Sequence, residues 1–444
     1  MDLKTPKLTL KRILLFWLPL ESTWLMMALE STLLSAFIAR LAEPKFNLAA
    51  YGVAFSFILV IEAPILMIIS ATTALVKDRD SFVKMQRFTF ALIALITLIQ
   101  GLTLIPSFFS YLTQGLIGLP PKVAELTYRA CWILVPVPWA IGIRRFSQGL
   151  LIRHNQTRFV ALGTAIRLAS LVLIGLCFYF FSVLEGAAVG AIVLMIAVVL
   201  EAVASRIMAR PIIRELTKED QSGTPGQSPL TYLGIMKFYL PLALTSLLAL
   251  GVQPSITFFV GKSRMAIESL AVLPVINGLV FLFMSVGLSY HEASIALLGE
   301  ENQNFRKLRN FALILGAVSM ALLAGIGFTP LSYIWFRLVS GLSEHLTEFA
   351  LTPVKILAVM PGIWVMLTFQ RSILVNARHT GPITWATALE LLLVLLTLFL
   401  MIRTWDMIGA IGAATALLVG RTGGTLCLFP SFLKILRRSQ KMPA

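Results

Sequence analysis

The stretch FWLPL at residues 16–20 returns as FYLPL at residues 238–242, a shift of 222 positions. LAAYGV at 48–53 returns as LAVLPV at 270–275 with the same shift, and LEGA at 184–187 returns as MIGA at 407–410, shifted by 223. A nearly constant offset maintained over about 170 residues is hard to obtain by chance from apolar composition, so the chain reads as an internal duplication. Between the copies lies the longest polar stretch, PIIRELTKEDQSGTPGQSPL at 211–230, with the Gly, Ser, Pro and charge content of a linker. The expected organisation is an N-lobe at 1–210, a cytoplasmic linker at 211–230 and a C-lobe at 231–444.

Composition says what is duplicated. Of 444 residues 58% are hydrophobic and only 13% charged, and the mean hydropathy is +0.86, which excludes a soluble chain. The net charge of +16, from 37 Lys and Arg against 21 Asp and Glu, would suggest nucleic acid in a polar protein. Here the cations lie between apolar runs and act as a topology signal, so no nucleic-acid partner is expected. Cys131, Cys177 and Cys427 all lie inside apolar segments without metal-ligand spacing, so neither metal nor cofactor is expected. The first apolar run, 13–38, is too long for a signal sequence and carries Glu21 and Glu30, so it is expected to remain as a span.

A membrane helix needs about 20 apolar residues. That ruler gives twelve spans, near 13–38, 48–76, 88–111, 129–152, 158–181, 186–208, 233–260, 268–298, 310–336, 349–376, 382–402 and 408–430. With this topology 23 Lys and Arg fall on one side, from Lys4, Lys7, Lys11 and Arg12 through Arg378 to Lys441, and seven on the other. The excess puts both termini in the cytoplasm of a multi-pass protein of the cytoplasmic, or inner, membrane. Six spans per copy is an even number, so the copies run in parallel, related by a pseudo-twofold axis along the membrane normal. The expected fold is an all-α integral membrane protein of twelve transmembrane helices in two six-helix lobes. Rocking of such lobes gives alternating access to a central cleft, the architecture of a transporter.

LAAYGVAFSFILVIEAP at 48–64, the opening FWLPL, GLLIRH at 149–154, TPVKI at 352–356, Pro361 and GAIGA at 409–413 resemble the progressive ankylosis (ANK) family. That family is part of the superfamily of MATE drug exporters and lipid-linked oligosaccharide flippases. The resemblance implies the same two-lobe plan and export of small polyanions such as pyrophosphate, citrate or nucleotides. It also implies a compact bacterial homologue, because the long polar tail of animal members does not follow Arg438. Lys355 falls at a basic family position and Glu292, in SYHEAS at 289–294, at an acidic one. Glu21 and Glu30 match no family position.

An ionisable side chain in lipid is expensive unless it faces a cavity or a partner, so each is a functional candidate. Arg144, Arg145 and Gln148 lie on the fourth span, with Arg144 and Gln148 on one face and Arg145 about 100° away. Guanidiniums offer planar, bidentate donors suited to phosphate or carboxylate. With Lys355, Arg371 and Arg421 they make the candidate substrate-binding set. Snorkelling to headgroups is the plain alternative for Arg145 and Arg371, and helix packing in GRTGGT for Arg421. Arg167, near mid-depth, has Glu390 as its repeat counterpart at a shift of 223, opposite charges in the two lobes. They read as a gate or as structural ion pairs. The buried carboxylates are Glu21, Glu30, Glu62, Glu201 and Glu292, and each also reads as a counter-ion to the arginines. Glu30, which shares a face with Thr23, Glu62 before Pro64, and Glu292 beside His291 join Arg167 and Glu390 as candidate coupling or gating groups.

No Walker loop, HExxH or GxSxG occurs, so an enzyme is not expected and energy must come from gradients, with H+ or Na+ as candidate coupling ions. The favoured expectation is an efflux transporter for a small polyvalent anion, working as a monomer among membrane lipids. Its rivals are H+- or Na+-coupled efflux of organic cations, a flippase for lipid-linked phosphosugars, and a non-transporting membrane scaffold.

Overall fold

The computed structural model describes residues 8–154, 156–181, 184–218, 230–299, 303–377, 379 and 381–439. Of the sequence expectations, residues 219–229 of the linker and the topology charges Lys4, Lys7, Arg378 and Lys441 lie outside the described residues. The first half contains α1 (Leu10–Ala39), α2 (Pro44–Leu66), α3 (Ile68–Leu75), α4 (Arg79–Thr103), α5 (Pro106–Ser110), α6 (Pro121–Ile133), α7 (Val137–Arg153), α8 (Thr157–Phe181), α9 (Gly186–Met208) and α10 (Arg210–Lys218). The second contains α11 (Tyr232–Leu250), α12 (Val252–Gly261), α13 (Ala266–Leu297), α14 (Phe305–Phe328), α15 (Leu331–Tyr333), α16 (Glu344–Leu357), α17 (Met360–Asn376), α18 (Gly381–Leu398) and α19 (Gly409–Ser439).

Among the described residues, eleven helical stretches are long and apolar enough to cross a membrane. A twelfth span is the bent pair α6 and α7, which meet at 43°. Pro136 and Pro138 explain that bend, because a proline ring removes a helical N–H and clashes with the preceding turn. Two spans end earlier than hydropathy alone indicates. The runs at 88–111 and 310–336 are cut at Thr103 and Phe328, just before Pro106 and Pro330. Each proline begins a short new helix that passes into a π-helical turn, Tyr111–Ile117 or Ile334–Val339. The start of the former span also moves back to Arg79, where Asp78 and Ser81 form a reciprocal capping box. The first eight linker residues are not open chain either, since Arg210–Lys218 is helical.

The duplication is visible in side-chain detail. Asn47 Oδ1 accepts from the Ala187 amide at 2.8 Å, and Ser269 Oγ accepts from the Ala410 amide at 3.0 Å. Each thereby caps the start of the last long helix of its copy from another helix. The donors sit in the repeated LEGA and MIGA motifs, and Asn47 and Ser269 are themselves 222 residues apart. Glu43 and Met265, also 222 apart, both take the left-handed conformation that turns the chain into α2 and α13.

Two compact units emerge, and they differ from the sequence halves by one exchanged span each. One is Leu33–Lys262; the other is Met1–Thr32 with Ser263–Ala444. In the Leu33–Lys262 unit, α11 packs on α2, and Tyr239 donates its hydroxyl hydrogen bond to the Pro64 carbonyl, at the break between α2 and α3. In the other unit the start of α1 joins an aromatic core with α13, α14, α17 and α19, in which Trp17, Tyr290, Phe311, Phe369 and Phe432 pack together.

Candidate functional site

Glu201 is the one charged residue within the otherwise apolar α9 before Arg206, and it is 1% exposed. Small residues let its neighbours approach: Gly163 on α8 leaves room for the Glu201 side chain. Arg144, from α7, forms an ion pair with Glu201 Oε2, and Arg167, from α8, reaches the same oxygen at 3.3 Å. Gln148, one turn beyond Arg144, donates to Oε1 at 3.4 Å. Three helices are thus tied through one carboxylate, and both of its oxygens are used. Burial of a single charge here would be prohibitive; burial of a hydrogen-bonded set is not.

The other unit repeats the theme with the charges moved. Glu390, on α18, takes Arg421 of α19 at 2.6 Å on Oε1, while Arg371 of α17 lies 3.9 Å from Oε2. Glu390 Oε2 has no hydrogen-bond donor, and Arg371 Nη2 turns instead to Thr387 Oγ1 at 3.3 Å. Trp364 underlies both cations, with the Arg421 guanidinium 4.1 Å and that of Arg371 5.9 Å from its ring centroid. At a shift of 223, Arg371 corresponds to Gln148, Glu390 to Arg167, and Gly424 to Glu201. The carboxylate has changed helix. A Cβ on Gly424 would come within 3.5 Å of Glu390 Oε2, so the glycine occupies the place where the first copy carries its acid.

In each unit one guanidinium is in excess. Arg145 forms no hydrogen bond or ion pair among the described residues, and its Nε is buried and unpaired. Its nearby charges are Arg144, Arg167, Glu201 and Glu62, three guanidiniums in all against two carboxylates. In the other unit Arg371 and Arg421 share Glu390, and the Nε of Arg371 is unpaired. Arg167 and Glu390, which the repeat alignment sets side by side, each pair within their own unit.

Of the remaining candidates, Glu62 is near Arg145, and the others lie apart from these clusters. Lys355 is exposed, with its ammonium 6.0 Å from the Phe328 ring. Glu30 and Glu62 are buried on α1 and α2. Glu292 accepts from Trp24 Nε1 at 3.1 Å, whereas His291 Nδ1 bonds the Thr368 carbonyl at 3.0 Å, so the two neighbours serve different helices. The sequence marks Glu21 as a buried carboxylate and gives no sign of its partners. It is buried and accepts from Ser285 at 2.9 Å and Ser289 at 2.5 Å, and Trp17 donates to Ser289 at 2.7 Å. Its partners sit 264 and 268 residues away, beyond the reach of local periodicity.

No protein-family model matches the sequence, and no curated protein matches it significantly. Solved structures do. A multidrug-resistance MATE family transporter of the MOP superfamily, in an inward-facing conformation, superimposes with a TM-score of 0.74 over 96% of this chain and 99% of its own, at 14% identity. The fold is that of the MATE transporters. The same MATE-type fold relates the chain to the lipid II flippase MurJ, TM-score 0.68, 16% identity, over 95% of this chain and 91% of that one. It also relates it to a MOP superfamily transporter from Pyrococcus furiosus, TM-score 0.60 and 14% identity, over 98% of this chain and all of the other. That protein is described as having a binding pocket of reversed polarity that suggests a different function. Identities of this size establish the MATE-type fold and leave the cargo to be argued from side chains.

Proposed function

We propose that the protein is an alternating-access exporter of a small polyvalent anion of pyrophosphate, citrate or nucleotide type. The observation that carries this reading is the guanidinium in excess in each buried cluster, Arg145 in one unit and Arg371 in the other, with unpaired N–H donors. A polyanion supplies the acceptors those donors lack, and two or more anionic oxygens suit arginine's planar fork. Arg144 and Arg421 then act differently from Arg145: each is committed to a carboxylate and positions the cluster. The resemblance to the ANK family supports the same substrate class and the outward direction, the excess of Lys and Arg on one side supports cytoplasmic termini, and the chain acts as a monomer in this reading. A second reading, efflux of organic cations, draws on the buried carboxylates: Glu30 and Glu62, which the sequence nominates for it, and Glu21 and Glu292, which accept from serine and tryptophan donors.

Flux in proteoliposomes separates the two. Labelled pyrophosphate and citrate are expected to move saturably, and Arg145→Gln to reduce that flux at least tenfold without lowering thermal stability. Movement of a cationic dye alone, abolished by Glu21→Gln and indifferent to Arg145→Gln, overturns the anion reading.

A further inference from the structure

We infer that the cavity enclosed by α2, α4, the α5 turn, α6 and α12 is a binding site for a small uncharged amphiphile. It has a volume of about 190 Å³ and is lined by Phe57, Ile61, Gln100, Leu112, Cys131 and Pro254, among others. No lining residue is charged, so this is not a place for the anion argued above, and the inference does not depend on that reading. Its walls are apolar except for Thr103 and Gln100. Gln100 is 1% exposed, and both Nε2 and Oε1 lack any hydrogen-bond partner among the described residues.

An amide buried in hydrocarbon with neither end bonded is rare in a native protein, and it asks for a ligand. Water answers only the polar end. It meets Oε1 and Nε2, the minimum number of partners for a buried water, since the Thr103 hydroxyl donates to the Gln100 backbone carbonyl at 2.7 Å, and it leaves the apolar remainder of the cavity unfilled. Apolar cavities of about 150 Å³ stay dry and accept a benzene-sized guest. This cavity has room for such a ring and one polar group more. A hydroxyl meets the amide's two needs at once, donating to Oε1 and accepting from Nε2. A neutral ring or short chain carrying one hydroxyl or amide is therefore the matching class, with its apolar body against Phe57, Ile61 and Leu112.

The test is 19F NMR of the full chain in nanodiscs, titrated with 4-fluorobenzyl alcohol and, separately, 4-fluorotoluene. A saturable bound signal is expected for the alcohol, absent from empty nanodiscs and removed by Ile61→Phe, which fills the cavity. Gln100→Leu is expected to raise the alcohol's half-saturation about tenfold and to leave that of the fluorotoluene unchanged. Equal half-saturation for the alcohol in both proteins, or partition without saturation, overturns the proposal and assigns the cavity to water. A second readout needs no change at Gln100. With Cys177→Ser and Cys427→Ser leaving Cys131 as the sole thiol, benzyl alcohol must slow its reaction with N-ethylmaleimide saturably. Absence of protection overturns the site as well.

Discussion

The cluster around Glu201 is closed, and the one around Glu390 is half open. Both carboxylates tie three helices, yet Glu201 has donors on both oxygens and a side chain 1% exposed. Glu390 leaves Oε2 without a hydrogen bond, and its two arginine side chains are each 21% exposed. Two copies of one ancestral bundle have thus reached the same electrostatic end, a carboxylate between guanidiniums, with the acid on different helices. A buried charge constrains its partners more than its own position. The Glu390 cluster keeps a spare acceptor oxygen beside an Arg371 that bonds Thr387 instead.

The sharpest way to break this comparison is to remove the acids. Glu201→Gln strands Arg144 and Arg167 and is expected to destabilise the protein by about 3–5 kcal/mol in unfolding assays in detergent. Glu390→Gln is expected to lose about 1–3 kcal/mol, since Arg421 keeps its place over Trp364. Arg144→Gln combined with Glu201→Gln should lose less than the two single changes together. Equal losses at the two acids would mean the clusters do not differ as described.

Packing around Glu390 provides the next contrast. A Cβ at Gly420 would meet Val394 Cγ2 at 2.5 Å and the Glu390 backbone oxygen at 3.0 Å, so Gly420→Ala is expected to lower stability by about 1–3 kcal/mol. At Gly424 the closest atoms are at ordinary contact, and Gly424→Ala should stay within about 0.5 kcal/mol. A large loss at Gly424 would place Glu390 elsewhere.

The symmetric caps should respond almost alike. Asn47→Ala and Ser269→Ala each remove the acceptor from the start of the last long helix, a loss of about 1 kcal/mol. The larger of the two is expected at Asn47, whose amide also bonds the Ala42 and Glu43 carbonyls.

The smallest effect depends on pH. Asp78 caps α4, whereas Asn304, at the start of α14, makes no side-chain cap. The hydrogen bond from the Ser81 amide, helped by that from the Ser81 hydroxyl and then by Lys84, outweighs burial and holds the Asp78 carboxyl below its usual value. Its charged form is therefore favoured by folding, and the contribution is complete above the unfolded pKa of about 3.9 and is lost as pH falls through the lower folded value. Acidification below about pH 4 should speed hydrogen exchange of the first turn of α4 and not of α14. Equal acceleration in both would remove Asp78 from the explanation.

Hydropathy placed seven of the twelve spans within about four residues of the observed helices at both ends, because desolvation of a helical backbone is a local, additive property. It misjudged the two spans cut by Pro106 and Pro330, where apolar residues continue past the break in the helix. Arg144, Arg167, Glu201 and Glu390 were recognisable individually as charges within apolar runs. Their pairing was not, since Arg144 and Glu201 are 57 residues apart on different helices. Gln100 gave no signal at all, as a single amide near the end of a span is unremarkable until its partners are counted.

The sequence by itself determined that this is a duplicated bundle of membrane helices, because length, apolarity, proline positions and the offset near 222 are properties of the chain. Only the tertiary structure decided which helix supplies the acid in each cluster, which arginine is left over, and that the first span of each half joins the other compact unit. The reason is physical. Burial from lipid depends on a residue's own neighbours along the helix, whereas charge compensation depends on which helices stand beside it.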